Sequence, residues 1–283
     1  MTRDRQFDTL RRQHVGREQL RYMRQAEALG LNVPKVDNPG FIRTVKAVLE
    51  TVRPSVADAE KLRIGGGKDG GYVMLDPGEG GVAYSFGVSP ESPWDLAMAR
   101  RGFSVFQYDG SIEEEPDLQP GIFFHKTFVG NTPGDGWTSL DEILETHGHE
   151  DCRDIILQID IEGGEWDFFA AISPENMRRF KQIIVEFHYA HADGARLGVL
   201  RKIRNTHTPV HFHCNNYAEA LFLVPDNFLY CPNLFEVTYA RTEDYAFQPD
   251  TGYYPTEHDR PNVSEKPEIP LGYFDLILGA PKL

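Results

Sequence analysis

Short apolar runs alternate with amphipathic segments from about residue 60 onward, which predicts a parallel sheet flanked by helices. The runs are apolar on successive residues, as in strands that are buried on both faces. Seven strands are predicted, at Val82–Ser89, Phe103–Asp109, Gly121–Val129, the apolar run of Ile155–Trp166 that leads into Asp160, Ile183–His188, Val210–Asn216 and Leu234–Ala240. Helices are expected over Pro90–Gly102 and Thr138–Thr146, and Tyr273–Leu278 is a candidate edge strand. The fold class is therefore α/β, with helices on both faces of a mostly parallel sheet.

The first 58 residues have a different pattern, because helical periodicity replaces the alternation of strands and helices. One or two helices are predicted up to Gly30–Asn32, and Phe41–Val52 is a clearer amphipathic helix that stops before Pro54. We expect residues 1–58 to form a helical appendage to a domain of residues 59–283. Arginines crowd its first part, at Arg3, Arg5, Arg11, Arg12, Arg17, Arg21 and Arg24. They indicate either a contact with RNA, membrane or a partner, or a solvated helical cap.

The fourth predicted strand ends in two carboxylates and two glycines. Asp160 and Glu162 follow the apolar run, and Gly163 and Gly164 allow a sharp turn or a close approach to a ligand. Open α/β sheets bind ligands at the carboxyl edge, where these acids are expected to lie. The alternative is an ordinary acidic turn at the N-terminus of a helix.

The first two strands have the order strand, glycine, helix, strand, acid. Gly87 follows the first strand, and Asp109 ends the second strand 22 residues later. This order is typical of nucleotide-binding βαβ units, in which the acid accepts hydrogen bonds from ribose hydroxyls. The chain lacks GxGxxG here, so a nucleoside without a pyrophosphate is the expected ligand. The glycine-rich Gly65–Gly71 resembles a phosphate loop but lacks its spacing, and a flexible loop over the cofactor is the alternative.

These segments resemble the class I S-adenosylmethionine (SAM)-dependent methyltransferases, and more narrowly the FkbM-type methyltransferases. The similar segments are RIGGGKDGGYVML, AYSFGVS, FQYDGS and LQIDIEGGEWDFF, within roughly residues 60–240. The resemblance implies a Rossmann-like seven-stranded fold, SAM as cofactor and an oxygen acceptor. It implies that SAM contacts the loop and strand-end residues Lys68, Gly71, Tyr84, Ser85, Phe86, Gly87, Asp109, Gly110, Ser111 and Asp160.

Histidines near the ends of the fifth and sixth strands suggest a reaction centre. Asp160, His188 and His213 are expected to converge above the sheet, with Glu162 orienting Asp160 or joining the group. Imidazole and carboxylate suit a divalent transition metal, and the same residues suit a general base. A third interpretation is that these histidines are structural. His147, His149 and His207 lie in polar segments and are expected to be incidental.

Composition narrows the classes of protein. The net charge of −14 argues against nucleic-acid binding. No apolar run is long enough to span a bilayer, and the N-terminus lacks an apolar signal core, which predicts a cytoplasmic protein. Cys152, Cys214 and Cys231 are too few for a disulfide framework.

The expected function is therefore SAM-dependent O-methylation of a small molecule, a sugar or a secondary metabolite, with a divalent metal as an open alternative to a general base. The sequence does not identify the acceptor. A nicotinamide-dependent oxidoreductase is one rival, although the pyrophosphate glycines are missing. A catalytically idle SAM-fold scaffold is the other, and the N-terminal helices are a candidate homodimer contact.

Overall fold

A seven-stranded sheet forms the centre of the protein. The computed structural model describes residues 3–113, 119–131, 134–191, 193–218, 220–223 and 229–279, with the side chains of residues 3–6, including Arg3 and Arg5, and of residue 229 outside the description. The helices are α1 Arg3–Ala28, α2 Pro39–Thr51, α3 Pro93–Arg100, α4 Leu140–His147, α5 Glu165–Ala171, α6 Pro174–Met177, α7 Gly194–Arg204 and α8 Phe274–Leu278.

The strands fall into the central sheet and several small ribbons. In chain order they are β1 Lys35–Val36, β2 Ser55–Ala57, β3 Lys61–Ile64, β4 Tyr72–Leu75, β5 Gly81–Phe86, β6 Phe103–Tyr108, β7 Ile122–His125, β8 Phe128–Val129, β9 Trp137–Thr138, β10 Ile155–Ile159, β11 Phe180–His188, β12 His207–Cys214, β13 Ala220–Leu223, β14 Leu229–Pro232, β15 Leu234–Arg241, β16 Phe247–Pro249, β17 Tyr253–Tyr254 and β18 Gly272–Tyr273.

The central sheet has the order β12-β15-β11-β10-β5-β6-β7. All neighbours run parallel except β15, which is antiparallel to both β11 and β12. The predicted fold class is confirmed, and each of the seven predicted strands is present. The predicted edge strand at Tyr273–Leu278 is wrong, because only Tyr273 pairs there, in a two-residue ribbon, and α8 follows at Phe274.

The two faces of the sheet carry different coverings because successive strand residues point to opposite sides. Ala83, Val105, Ile156 and Ile184 pack under α3 and the β3–β4 hairpin. The opposite face packs against helices α2, α4, α5 and α7. Its buried side chains include Tyr84, Phe86, Leu157, Ile159, Val185, Phe187, Val237 and Tyr239. The hairpin face matters for function, since it leads to the carboxyl ends of β5, β10 and β11.

The helix α2 is part of the main core. Asn38 caps its N-terminus by accepting hydrogen bonds from Gly40 N and Phe41 N. Its apolar face buries Ile42, Val45, Val48 and Leu49 in the same cluster as the central strands. The predicted boundary at residue 58 therefore does not coincide with a break in packing.

The helix α1 lies more at the surface, although its attachment is specific. Arg11 donates hydrogen bonds to both carboxylate oxygens of Asp275 at 2.7 and 2.5 Å and stacks over the Tyr273 ring. Phe7, Leu10 and Leu20 are exposed. Within the described ranges, no helix is both long and apolar enough to cross a bilayer.

Candidate functional site

The turn after β5 is built around Gly87. Its φ is +79°, and an added Cβ would lie 1.6 Å from the Asp160 carbonyl oxygen. The neighbouring Phe86 carbonyl accepts a hydrogen bond from Asp160 N at 2.8 Å, which joins the ends of β5 and β10. Only glycine fits this position, because both the φ angle and the close backbone contact forbid a side chain.

The turn is also tied to Asp109, which follows β6. One carboxylate oxygen of Asp109 accepts a hydrogen bond from Val88 N at 3.0 Å. The other accepts from Ser111 N and Ser111 Oγ, each at 2.6 Å. Asp109 thus fixes the turns after β5 and β6 relative to each other. A carboxylate has about four acceptor positions, so one remains for a ligand hydroxyl.

A cavity of about 480 Å³ opens beside this turn. Its lining comes from the β3–β4 hairpin, the segment between β5 and α3, and the end of β10. The lining residues are Asp69, Gly70, Tyr72, Gly87, Val88, Ser89, Pro90, Glu91, Ser92, Pro93, Trp94, Asp95, Gln158, Asp160 and Glu162. The cavity is within the ordinary size range of small-molecule sites, and its lining includes five carboxylates but neither lysine nor arginine. Such a lining favours neutral or cationic ligands.

Tyr84 and Phe86 do not line this cavity, contrary to prediction. Both side chains are fully buried on the opposite face of the sheet, where the Tyr84 hydroxyl lies 2.7 Å from His149 Nδ1. Ser85, between them, points to the hairpin face and donates to Gln158 Oε1 at 2.8 Å. The two-residue period of the strand explains the difference, since neighbouring residues cannot share a face.

The glycine-rich loop is a tight hairpin turn instead of a flexible cover. Arg63 donates from Nε to the Gly66 carbonyl and from Nη2 to the Lys68 carbonyl, each at 2.9 Å. An added Cβ on Gly71 would lie 2.2 Å from the Gly66 carbonyl oxygen. Of this loop Asp69 and Gly70 line the cavity, whereas the predicted Lys68 and Gly71 do not.

Asp109, Gly110 and Ser111 are not among the residues that line the cavity, and Asp109 reaches it only through its hydrogen bond with Val88 N. Gly110 packs so closely on the Phe128 ring that a Cβ would meet it at 2.4 Å. The exposed rings of Phe128 and Trp137 lie 5.0 Å apart at this edge. The predicted contact of Gly110 and Ser111 with a cofactor stays a prediction.

A carboxylate–imidazole group lies at the ends of β10 and β11. His188 Nε2 is 3.8 Å from Asp160 Oδ1, 3.7 Å from Glu186 Oε1 and 3.2 Å from Glu162 Oε2. Glu186 and His188 share a face because they are two residues apart in β11. The structure therefore brings Asp160, Glu162 and His188 close together, and their predicted role in catalysis stays a prediction.

Glu165 orients the His188 ring from the side of Nδ1, opposite to the carboxylates at Nε2. This fully buried carboxylate faces His188 Nδ1 at 3.1 Å and accepts hydrogen bonds from His188 N and Gly163 N, both at 2.8 Å. A carboxylate at Nδ1 favours the tautomer with its proton on that nitrogen. Nε2 then carries the lone pair towards Asp160 and Glu186.

Charge and burial shift the pKa values of this group. Burial raises the pKa of Asp160 to about 7, helped by Glu162 and opposed by His188. Burial, together with the charges of Asp160 and Glu236, also raises the pKa of Glu186. Burial lowers the pKa of His188, but the hydrogen bond and charge of Glu165 outweigh it, so the net pKa is raised. The raised pKa values of Asp160 and Glu186 indicate that His188 does not fully compensate the negative charge of the carboxylates around it.

His213 does not join this group, which corrects the predicted convergence. The strand β15 lies between β11 and β12, so the strands of His188 and His213 are not neighbours. The two ring nitrogens of His213 face Glu236 at 3.1 Å and Glu268 at 3.2 Å. With both nitrogens engaged and the side chain buried, His213 has the environment of a structural histidine.

Two members of the group were missed by sequence reasoning. Glu186 stands two residues before His188 in a strand, and this spacing alone could have revealed it. Glu165 gave no such signal, because an acid in the first turn of a helix is common.

Comparison with known proteins gives one family. Residues 108–221 match the model described as methyltransferase FkbM domain. No curated protein matches the chain. A solved TehB-like SAM-dependent methyltransferase from Corynebacterium glutamicum is 12% identical and covers 81% of this chain and 98% of its own, but the TM-score of 0.31 is too low to support an assignment. Residues 108–221 are thus similar to the FkbM methyltransferase domain, which agrees with the resemblance of the strand-end motifs to class I methyltransferases.

Proposed function

We propose that the protein transfers a methyl group from SAM to a hydroxyl oxygen of a small polar molecule, of the sugar or secondary-metabolite type. The domain that residues 108–221 resemble is one of methyltransferases. The observation that carries the proposal is the Gly87 turn, which opens onto a 480 Å³ cavity between the ends of β5 and β10.

The surroundings of the turn suit SAM. No phosphate has to be held, so the absence of a phosphate-binding glycine motif after β5 is no obstacle. Asp109 has acceptor capacity left for the ribose hydroxyls. SAM carries a sulfonium, an ammonium and one carboxylate group, and the acidic lining of the cavity favours its net positive charge.

The chemistry follows from the charge on sulfur. The acceptor oxygen attacks the methyl carbon in line, the carbon–sulfur bond breaks, and its electron pair goes to sulfur to give neutral S-adenosylhomocysteine. Alignment of donor and acceptor supplies much of the rate enhancement. The hydroxyl must also lose its proton, and His188 Nε2 is the nitrogen that Glu165 leaves available for it.

The acidic lining bears on the acceptor. Asp69, Glu91, Asp95, Asp160 and Glu162 would repel an anionic molecule such as a phosphorylated sugar. We therefore propose a neutral or amine-bearing polyol as the acceptor class.

Calorimetric titration with SAM and with NAD⁺ tests the cofactor, since a nicotinamide enzyme would prefer the second ligand. Binding of SAM and of S-adenosylhomocysteine, but not NAD⁺, supports the proposal. Incubation with methyl-labelled SAM and sets of neutral, amine-bearing and phosphorylated polyols then tests the acceptor. Label on carbon or nitrogen alone, or no SAM binding, would contradict O-methylation.

A further inference from the structure

The strongest unexplained feature is the set of oxygens around His188 Nε2. Asp160 Oδ1, Glu186 Oε1 and Glu162 Oε2 all approach this nitrogen within 3.8 Å. When Nδ1–H of a neutral His188 donates to Glu165, Nε2 has a lone pair and faces oxygens that also offer lone pairs. Acceptors do not converge on one another without a proton or a cation between them.

A proton on Nε2 would supply one donor for three oxygens, and nearby protein cations do not make up the rest. The ion pairs that Asp160 and Glu186 form within the described ranges are with His188 alone. Glu186 receives one hydrogen bond, from Asn215 Nδ2 to Oε2 at 2.7 Å, which leaves Oε1 for another partner. Asp160 Oδ1 is a buried atom without a hydrogen-bond donor in the part of the chain that the structure describes.

Spacing and chemistry of the three side chains suit a metal ion. One ligand atom from each of Asp160, Glu186 and His188 lies within 4.8 Å of the others, and two of these separations are 3.7 and 3.8 Å. Ligands about 2.1 Å from a common ion are roughly 3–4 Å apart. Glu165 behind His188 matches the carboxylate–histidine pairing that orients a ligating imidazole.

We propose that Asp160, Glu186 and His188 bind a divalent cation of the Mn²⁺ type, beside the cavity that Asp160 lines and in which the acceptor hydroxyl would react. This inference rests on the proposed function for its role but not for the site itself. Two carboxylates and one imidazole favour Mn²⁺ or Fe²⁺ over an all-oxygen magnesium site. Because Asp160 also lines the cavity, the cation has a side open to a ligand.

The cation changes how the acceptor is activated. A hydroxyl bound to it has a lower pKa, so its proton passes to water at the cavity mouth and the oxygen becomes the nucleophile. His188 then acts as a ligand, and Glu165 acts as its positioning residue. Glu162, which is 87% exposed, stays at the rim.

A second set of carboxylates could also hold a cation, and it has to be distinguished from the proposed site. Asp69, Glu186 and Glu236 also lie within reach of one another, but Asn262 Nδ2 already bridges Asp69 and Glu236 with hydrogen bonds of 2.9 and 2.7 Å. That set contains no imidazole. Substitution of Glu186 would affect cation binding at both sets, whereas substitution of His188 or of Glu236 would affect only one set each.

The test is a Mn²⁺ titration of the full chain after treatment with a chelator. Electron paramagnetic resonance measures the concentration of free Mn²⁺ at each step. We expect one ion per chain, with affinity lowered about tenfold or more in His188→Gln and Glu186→Gln, and roughly 10- to 100-fold in Glu165→Gln. Glu268→Gln removes a carboxylate that faces His213 and belongs to neither set of possible ligands, so it should leave Mn²⁺ affinity unchanged. Thermal melts verify folding, and Asp160→Asn replaces any variant that does not fold.

No Mn²⁺ binding to the wild type at millimolar concentration would overturn the proposal. So would loss of binding in Glu236→Gln with full binding in His188→Gln, since this result assigns the ion to the all-oxygen set. SAM binding is measured separately in the presence of chelator. Intact SAM binding and methyl transfer without any metal would reject the metal site and leave the methyltransferase proposal standing.

Discussion

Gly87 and Asp160 are in backbone contact across the ends of β5 and β10, so that a Cβ on Gly87 would lie 1.6 Å from the Asp160 carbonyl oxygen. This contact sets the position of Asp160 relative to the turn. The two features of the sequence that pointed to a ligand site, a glycine after one strand and an acid after another, are therefore parts of one structure.

Gly87→Ala should move these strand ends apart. Both the clash and the positive φ disfavour alanine, so we expect destabilisation by about 1–3 kcal/mol or more and a loss of SAM affinity. Urea unfolding and calorimetry measure the two effects. Gly198→Ala is the matched control, because nothing lies within 4 Å of its added methyl and alanine favours the α7 helix. Unchanged SAM affinity in Gly87→Ala would show that the turn does not contact the cofactor.

Asp109→Ala should weaken SAM binding by about 1–3 kcal/mol, because ribose hydrogen bonds are lost and Val88 N is released. Calorimetric titration of folded protein gives the difference. Asp76→Ala is a suitable control, since Asp76 also accepts a hydrogen bond from the backbone N two residues later, but none from Val88, which lines the cavity. Equal SAM affinities of the wild type and Asp109→Ala would refute the role of Asp109.

Much of the fold could be predicted because the strands are apolar and closely spaced. The run at Ile155–Ile159 is buried at every position, and a short apolar run of this kind is typical of a central strand. The tail was harder to assign. Tyr273–Leu278 is as apolar as an edge strand, but Phe274–Leu278 forms a short helix that buries Phe274 in the core.

The site could be predicted only in part. Asp160, Gly87 and Asp109 follow strands directly, so their place at the carboxyl edge follows from the topology. The predicted place of His213 was wrong because β15, the last strand of the central sheet in chain order, lies between the strands of His188 and His213. The local sequence pattern does not reveal this strand order. Tyr84 and Phe86 were expected at the cavity but lie on the other face, because the sequence does not define which face of β5 is nearer to the cavity. Glu186 could have been found by applying the same alternation to β11.

Leu49→Ala should test whether the N-terminal helices are separable. Leu49 is buried in the core that includes the central strands, and we expect its loss to cost about 2–5 kcal/mol. Leu10→Ala, in the same predicted appendage but 60% exposed, should change stability little. Denaturant unfolding of both variants makes the comparison. A Leu49→Ala protein as stable as the wild type would favour the boundary at residue 58.

His207 should make the protein sensitive to acid, although its polar neighbourhood in the sequence suggested an incidental residue. The ring is buried at the start of β12, where Nε2 lies 2.9 Å from the Phe180 carbonyl and Nδ1 lies 2.8 Å from Thr206 Oγ1. Burial lowers the pKa of His207 to about 4, the Phe180 carbonyl opposes this shift, and the charges of Arg241 and Arg178 add to it while Asp244 opposes it.

Between pH 6.5 and 4 the unfolded chain therefore binds a proton at His207 that the folded protein does not bind. Stability falls as the pH drops through this window, and the loss reaches roughly 3 kcal/mol near pH 4. Urea unfolding of the wild type and of His207→Gln at pH 7.5, 6, 5 and 4 isolates the effect, because the other titrating groups are common to both proteins. The stability difference between the two proteins should shift in favour of His207→Gln as the pH falls. A difference that stays constant with pH would mean that His207 is not held neutral in the folded protein.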